Sequence, residues 1–132
     1  MAHWSEAYMG REYLPGVADC AALAQAVARE VLGMAVDLPA EHATQPFARN
    51  QQIRAHRDTV AERVPVPLDG HPVLMLARGR LQHIGVMCDM GGRWYVLHAD
   101  DGFGEVIRQP MRQRGDVHFV DDCVIEGFYR WK

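Results

Sequence analysis

Two apolar strand-like runs separated by Gly91-Gly92 constrain this chain more than any other feature. Leu81 to Asp89 and Arg93 to Ala99 are rich in residues that favour strands, and a Gly-Gly pair suits a two-residue hairpin turn. Such a turn pairs Met90 with Arg93. Counting outward sets Gly85 opposite His98 and His83 opposite Asp100. Residues two apart on a strand share a face, so His83, Gly85 and His98 lie together, with the imidazoles as diagonal neighbours. Cys88 points the other way with Ile84, Val86, Tyr95 and Leu97. A slip of one residue would separate the histidines.

Around this hairpin the chain divides in two. Ser5 to Tyr8 suits a short helix, and Pro15-Gly16 marks a loop. Asp19 is a good N-cap. Cys20, Leu23, Ala24, Val27, Ala28 and Val31 then recur at intervals of three and four, one stripe of an amphipathic helix ending near Gly33. Residues 41 to 62 are polar and Arg/Gln/Ala-rich and read as one or two surface helices. Val64-Pro65-Val66-Pro67 is extended. Pro72 to Ala77, the hairpin, Gly104 to Arg108, Val117 to Val120 and Cys123 to Tyr129 read as strands. Helices first and an antiparallel sheet second make an α+β order.

With 132 residues, the expectation is a single domain spanning 1-132. A net charge of -3 gives the fold no polybasic surface for nucleic acid. No apolar run has the length of a membrane span. Met1 to Glu6 lacks a basic stretch followed by an apolar one, so no signal peptide is expected and the chain is cytoplasmic as synthesised. Three widely spaced cysteines, Cys20, Cys88 and Cys123, form no disulfide framework or zinc ribbon.

The chemistry-bearing residues are Cys20, His83 and His98. A helix start lowers a thiol's pKa, and the thiolate is the nucleophile. Cys20's own amide could donate to a developing oxyanion. Taken alone, a first-turn cysteine is more often core. Packed from the helix against the histidine face, Cys20 would have His83 as general base and His98 to orient it. Asp100 competes with His98 for the orienting role. A metal site of His83, Cys88, His98 or Cys123 is disfavoured, because Cys88 faces away and no Cys-x-x-Cys pair exists.

These residues resemble the NlpC/P60 cysteine peptidases. The run from Tyr8 through Gly10, Tyr13 and Gly16 to Asp19-Cys20 is similar to that family's Gly-x-x-Tyr element and Asp-Cys helix start. Gln82-His83-Ile84-Gly85-Val86 resembles its His-Val-Gly-Ile strand, and Val96-Leu97-His98-Ala99 its third-residue strand. The chain's shortness and its ending, Ile125 to Arg130, look most like the phage-tail branch. The resemblance implies a papain-like α+β fold, with N-terminal helices packed on a small antiparallel sheet. It makes Cys20 the nucleophile, His83 the base, His98 the orienting residue and Tyr13 the neighbour of the oxyanion, with Tyr8 a weaker alternative. It implies hydrolysis of amide bonds in peptidoglycan stem peptides, no cofactor or metal, and phage-tail proteins as partners.

Three positions depart from the family pattern. Ala21-Ala22 replace Ser-Gly, the loop from Tyr13 to Cys20 is short, and Gly70-His71-Pro72 stands where Gly-Asp is usual; His71 has no assigned role. Two other functions fit the same residues: an assembly protein of the tail with little activity, and an acyltransferase or deamidase.

Overall fold

The computed structural model describes residues 3–12, 20–36, 59–77, 80–100, 104–121 and 123–132. Among these residues a 3-10 turn, Trp4–Ala7, is followed by an α-helix, α1 (Cys20–Glu30), and eight strands: β1 (Ala61–Val64), β2 (Pro72–Ala77), β3 (Arg80–Met90), β4 (Arg93–Asp100), β5 (Glu105–Pro110), β6 (Arg112–Arg114), β7 (Val117–Val120) and β8 (Cys123–Trp131). All eight belong to one antiparallel sheet, ordered β5-β4-β3-β2-β8-β7-β6, with β1 on the far half of β8.

The expected papain-like α+β fold is therefore corrected. Among the described residues the protein is mostly β, with α1 against a curled antiparallel half-barrel. Three physical causes account for the difference. First, Ala61 and Glu62 end the stretch whose composition suggested surface helices, yet they open β1, which pairs with Phe128 to Trp131 of β8. Cross-strand pairing outweighs a helix preference of a few tenths of a kcal/mol per residue. Of the rest of that expected helical stretch, Thr59 and Val60 are helical, and 41–58 lies outside the described residues. Second, β6 is Arg-Gln-Arg and wholly exposed, so no apolar alternation betrays it. Third, the path's two edge strands, β5 and β6, are joined by Met111 alone. One residue cannot span a flat seven-strand row, since strands lie about 4.8 Å apart; the sheet must curl until its edges approach.

The curl gives the sheet an outer face, carrying α1, and an inner one. On the outer face Leu23, Ala24, Val27 and Ala28 of α1 join Leu74, Val86, Cys88, Leu97 and Ala99 in one core. On the inner face Val73, Met75, Met87, Val96, Val120 and Phe128 form a second, drawn from β2, β3, β4, β7 and β8. Alternation along β3 and β4 distributes side chains between the two. α1 ends as its stripe requires: Gly33 takes φ +68, and the Met34 amide returns to the Ala28 carbonyl at 2.9 Å.

The N-terminal turn is held by a polar network. His3 Nε2 bonds Asp69 Oδ1 at 3.1 Å, and the Trp4 indole N–H donates to Asp69 Oδ2 at 2.9 Å. Asp69 Oδ1 also accepts from the Asp89 amide at 2.8 Å, tying the turn to the β3–β4 hairpin.

Candidate active site

The hairpin turn is as the glycine pair demands. Gly91 and Gly92 take φ of +70 and +91, open to glycine and strained for other residues. The ladder runs from Met90↔Arg93 to Val86↔Leu97, the register counted from the turn. His83 and His98 lie just beyond its last pair.

The two rings meet. His83 Nε2 is 3.0 Å from His98 Nδ1, with the rings nearly perpendicular. Both residues are buried, at 9% and 3% exposure. On its other side His98 Nε2 lies 2.8 Å from Gln109 Oε1. Gln109 pairs with Val96 in the β4–β5 ladder and so shares the histidine face. Sequence reasoning did not single it out. The available signal was β5's two-residue period, which puts Ile107 and Gln109 on one face once His98↔Ile107 is known.

Gly85 makes the face passable. It sits within the inner core, where a Cβ would lie 2.5 Å from Val96 Cγ1, 3.0 Å from Met75 Cε and 3.1 Å from Val73 Cγ1. The strand glycine thus marks a close approach of neighbouring side chains.

Cys20 is the first residue of α1 and is buried, at 4% exposure. Its stripe partners pack with Val86, Cys88, Leu97 and Ala99, which alternate away from His83 and His98. So the histidines are brought together as expected, but the stripe of α1 packs on the opposite face of the sheet from them. This corrects the expectation that the helix covers the histidine face. The cause is again alternation: β3 carries its apolar residues at both parities, and α1 seats on Val86 and Cys88.

Other expected residues resolve differently. Tyr13 and Asp19, and the Asp100 side chain, lie outside the described residues. The Tyr8 hydroxyl donates to Glu30 Oε1 at 2.7 Å, and burial raises its pKa to about 12, so it serves α1 rather than an oxyanion. His71 Nδ1 accepts from the Trp131 amide at 3.2 Å, joining the start of β2 to β8. Cys88 lies in the outer core, and burial pushes its thiol up to about 12.

A second hydrogen-bonded set has the connectivity of a serine triad: Asp69, His3 and Ser5, with His3 Nδ1 2.8 Å from Ser5 Oγ. Ser5 is fully buried and its hydroxyl accepts from Arg108 at 2.8 Å. An oxygen without solvent access, already accepting from a guanidinium, is a poor nucleophile. The set is structural.

Among the described residues no group of three His, Cys, Asp or Glu side chains could hold a metal ion, and no helix is long and apolar enough to cross a membrane. Comparison with protein-family models, curated proteins and solved structures found no match.

Proposed function

We propose that this protein is a cysteine hydrolase in which Cys20 attacks an amide carbonyl and His83, oriented by His98, moves the proton. The observation that carries the reading is the buried His83 Nε2–His98 Nδ1 contact of 3.0 Å. It leaves Nδ1 as the His83 nitrogen for proton transfer, while the partner ring holds the other. A thiol at the helix start supplies the nucleophile, and the reading requires it to reach His83 from the end of α1, although Leu23 to Ala28 seat on the other face of the sheet.

The reaction follows from those roles. His83 Nδ1 takes the Cys20 proton, and the thiolate adds to the carbonyl. The tetrahedral intermediate expels the amine, which receives the proton from His83, and a thioester remains. Water, deprotonated by His83, then releases the acid and restores the thiol. The substrate class comes from the motif likeness: amide bonds in bacterial wall stem peptides, in a protein associated with phage tails. Transfer of the acyl group to an amine, or loss of ammonia from a side-chain amide, would use the same thioester.

The placement of α1's stripe on the outer face favours a second reading. In it the histidine pair is a buried polar lock in an assembly protein, and Cys20 is core.

Iodoacetamide labelling of Cys20 between pH 4 and 9, located by peptide mapping, separates the two. The hydrolase reading expects fast labelling well below about pH 8.5, the range of an ordinary thiol, lost in His83→Ala. It also expects wall stem peptides to be cleaved by the natural protein and not by Cys20→Ala. An ordinary thiol curve, unchanged in His83→Ala, would overturn it in favour of the structural one.

A further inference from the structure

We infer that Gln109 is a positioning residue: its side-chain carbonyl sets the tautomer of both histidines and so decides which nitrogen of His83 is basic. An amide oxygen can only accept. His98 Nε2, 2.8 Å from Gln109 Oε1, must therefore carry the hydrogen. A neutral imidazole has one N–H, so His98 Nδ1 bears the lone pair. His83 Nε2, 3.0 Å away, must donate to it. In neutral His83 the remaining nitrogen, Nδ1, is then the proton acceptor.

The order is directional. Were an N–H group aimed at His98 Nε2 instead, every bond would reverse: His98 Nδ1–H would donate to His83 Nε2, and His83 Nδ1 would hold a hydrogen and could accept none. One amide thus decides between a base and a spent donor. Its position is secured from the backbone. Val96↔Gln109 and His98↔Ile107 are alternate pairs of one ladder, on the same face, so Gln109 and His98 cannot shift independently. The His98 ring is buried, at 3% exposure, which makes bulk water a poor substitute for the amide.

The tautomer inference stands on these bonds alone; its consequence for catalysis rests on the hydrolase reading. The test is two-bond ¹H–¹⁵N NMR of the ¹⁵N-labelled full chain at pH 8, which reports each imidazole's tautomer directly. The natural protein is expected to show His83 and His98 both as Nε2–H forms. In Gln109→Met both should become mixtures, and in Gln109→Glu, which keeps an acceptor, both should stay Nε2–H. An Nδ1–H tautomer at His83 in the natural protein would overturn the inference, and so would a folded Gln109→Met with unchanged tautomers. The natural protein alone supplies the first of these outcomes, so a variant that fails to fold does not spoil the test.

Cys20 labelling at neutral pH gives the second readout. A wrong tautomer in a serine triad costs about 10⁴ in rate, so labelling should fall in proportion to the share of His83 that leaves the Nε2–H form, about 2-fold for an even mixture. Shifted tautomers with unchanged labelling would uphold Gln109's role and remove the hydrolase reading. Unshifted tautomers with labelling that still needs His83 would do the reverse.

Discussion

Replacing Gly85 by alanine tests the inner face directly. The new methyl would lie 2.5 Å from Val96 Cγ1, well inside contact distance, and 3.0 and 3.1 Å from Met75 Cε and Val73 Cγ1. The backbone there is ordinary strand, so the cost is steric. Met75 is flexible, whereas Val96 is β-branched, stiff and fully buried. Overpacking of this kind costs about 1–3 kcal/mol. An unfolding entropy of about 2.1 cal/mol/K per residue gives, over 132 residues, about 0.28 kcal/mol/K. A loss of about 2 kcal/mol then lowers Tm by about 7 °C. Val96→Ala alone should cost about 1.5–2.5 kcal/mol from lost methyls and the cavity left behind. The double variant removes the worst overlap, so it should be more stable than the sum of the singles predicts, by about 1–2 kcal/mol. Urea unfolding of the four proteins, followed by circular dichroism, measures this. A neutral Gly85→Ala, or a cycle additive within about 0.5 kcal/mol, would refute the inner-face register and the histidine placement that depends on it.

Two further outcomes follow from buried titratable groups. Cys88, its thiol pushed up to about 12 by burial, should resist iodoacetamide at pH 8 in the folded protein and react once urea unfolds it; labelling at the rate of a small-molecule thiol would contradict its place in the outer core. Burial, aided by Arg130, lowers the pKa of His71 in the folded state, so the unfolded chain binds the extra proton. His71's contribution is therefore complete above its unfolded pKa of about 6.5 and is lost as pH falls through the lower folded value. Protonation of Nδ1 also ends its acceptance from the Trp131 amide. The urea midpoint should drop between pH 7.5 and 5.5 more steeply in the natural protein than in His71→Asn, and parallel drops would count against this linkage.

Much of the second half was legible because its information is local. A Gly-Gly pair admits positive φ twice, so the turn and hence the β3–β4 register followed by counting. The helix start at Cys20 and its end near Gly33 followed from spacing and one glycine. The histidine pair was legible for the same reason: the turn and the two-residue period place both rings. Gln109 was not, because its role depends on the β4–β5 register, and the four residues between those strands, Asp101-Gly102-Phe103-Gly104, offer two glycines and so more than one turn. β1 and β6 were hidden too. One pairs with a strand some sixty residues away, and the other has no apolar side.

By itself, the amino-acid sequence determined the hairpin, its register, the amphipathic helix and the meeting of His83 with His98. Each depends on backbone periodicity and turn stereochemistry within a few residues. Only the tertiary structure decided that one residue joins the sheet's two edges, that the sheet curls, and that α1 seats on the face opposite the histidines. β3 offers apolar side chains on both its faces. Which one the helix covers is set by how the whole surface packs, and the curl leaves the other lining its own core.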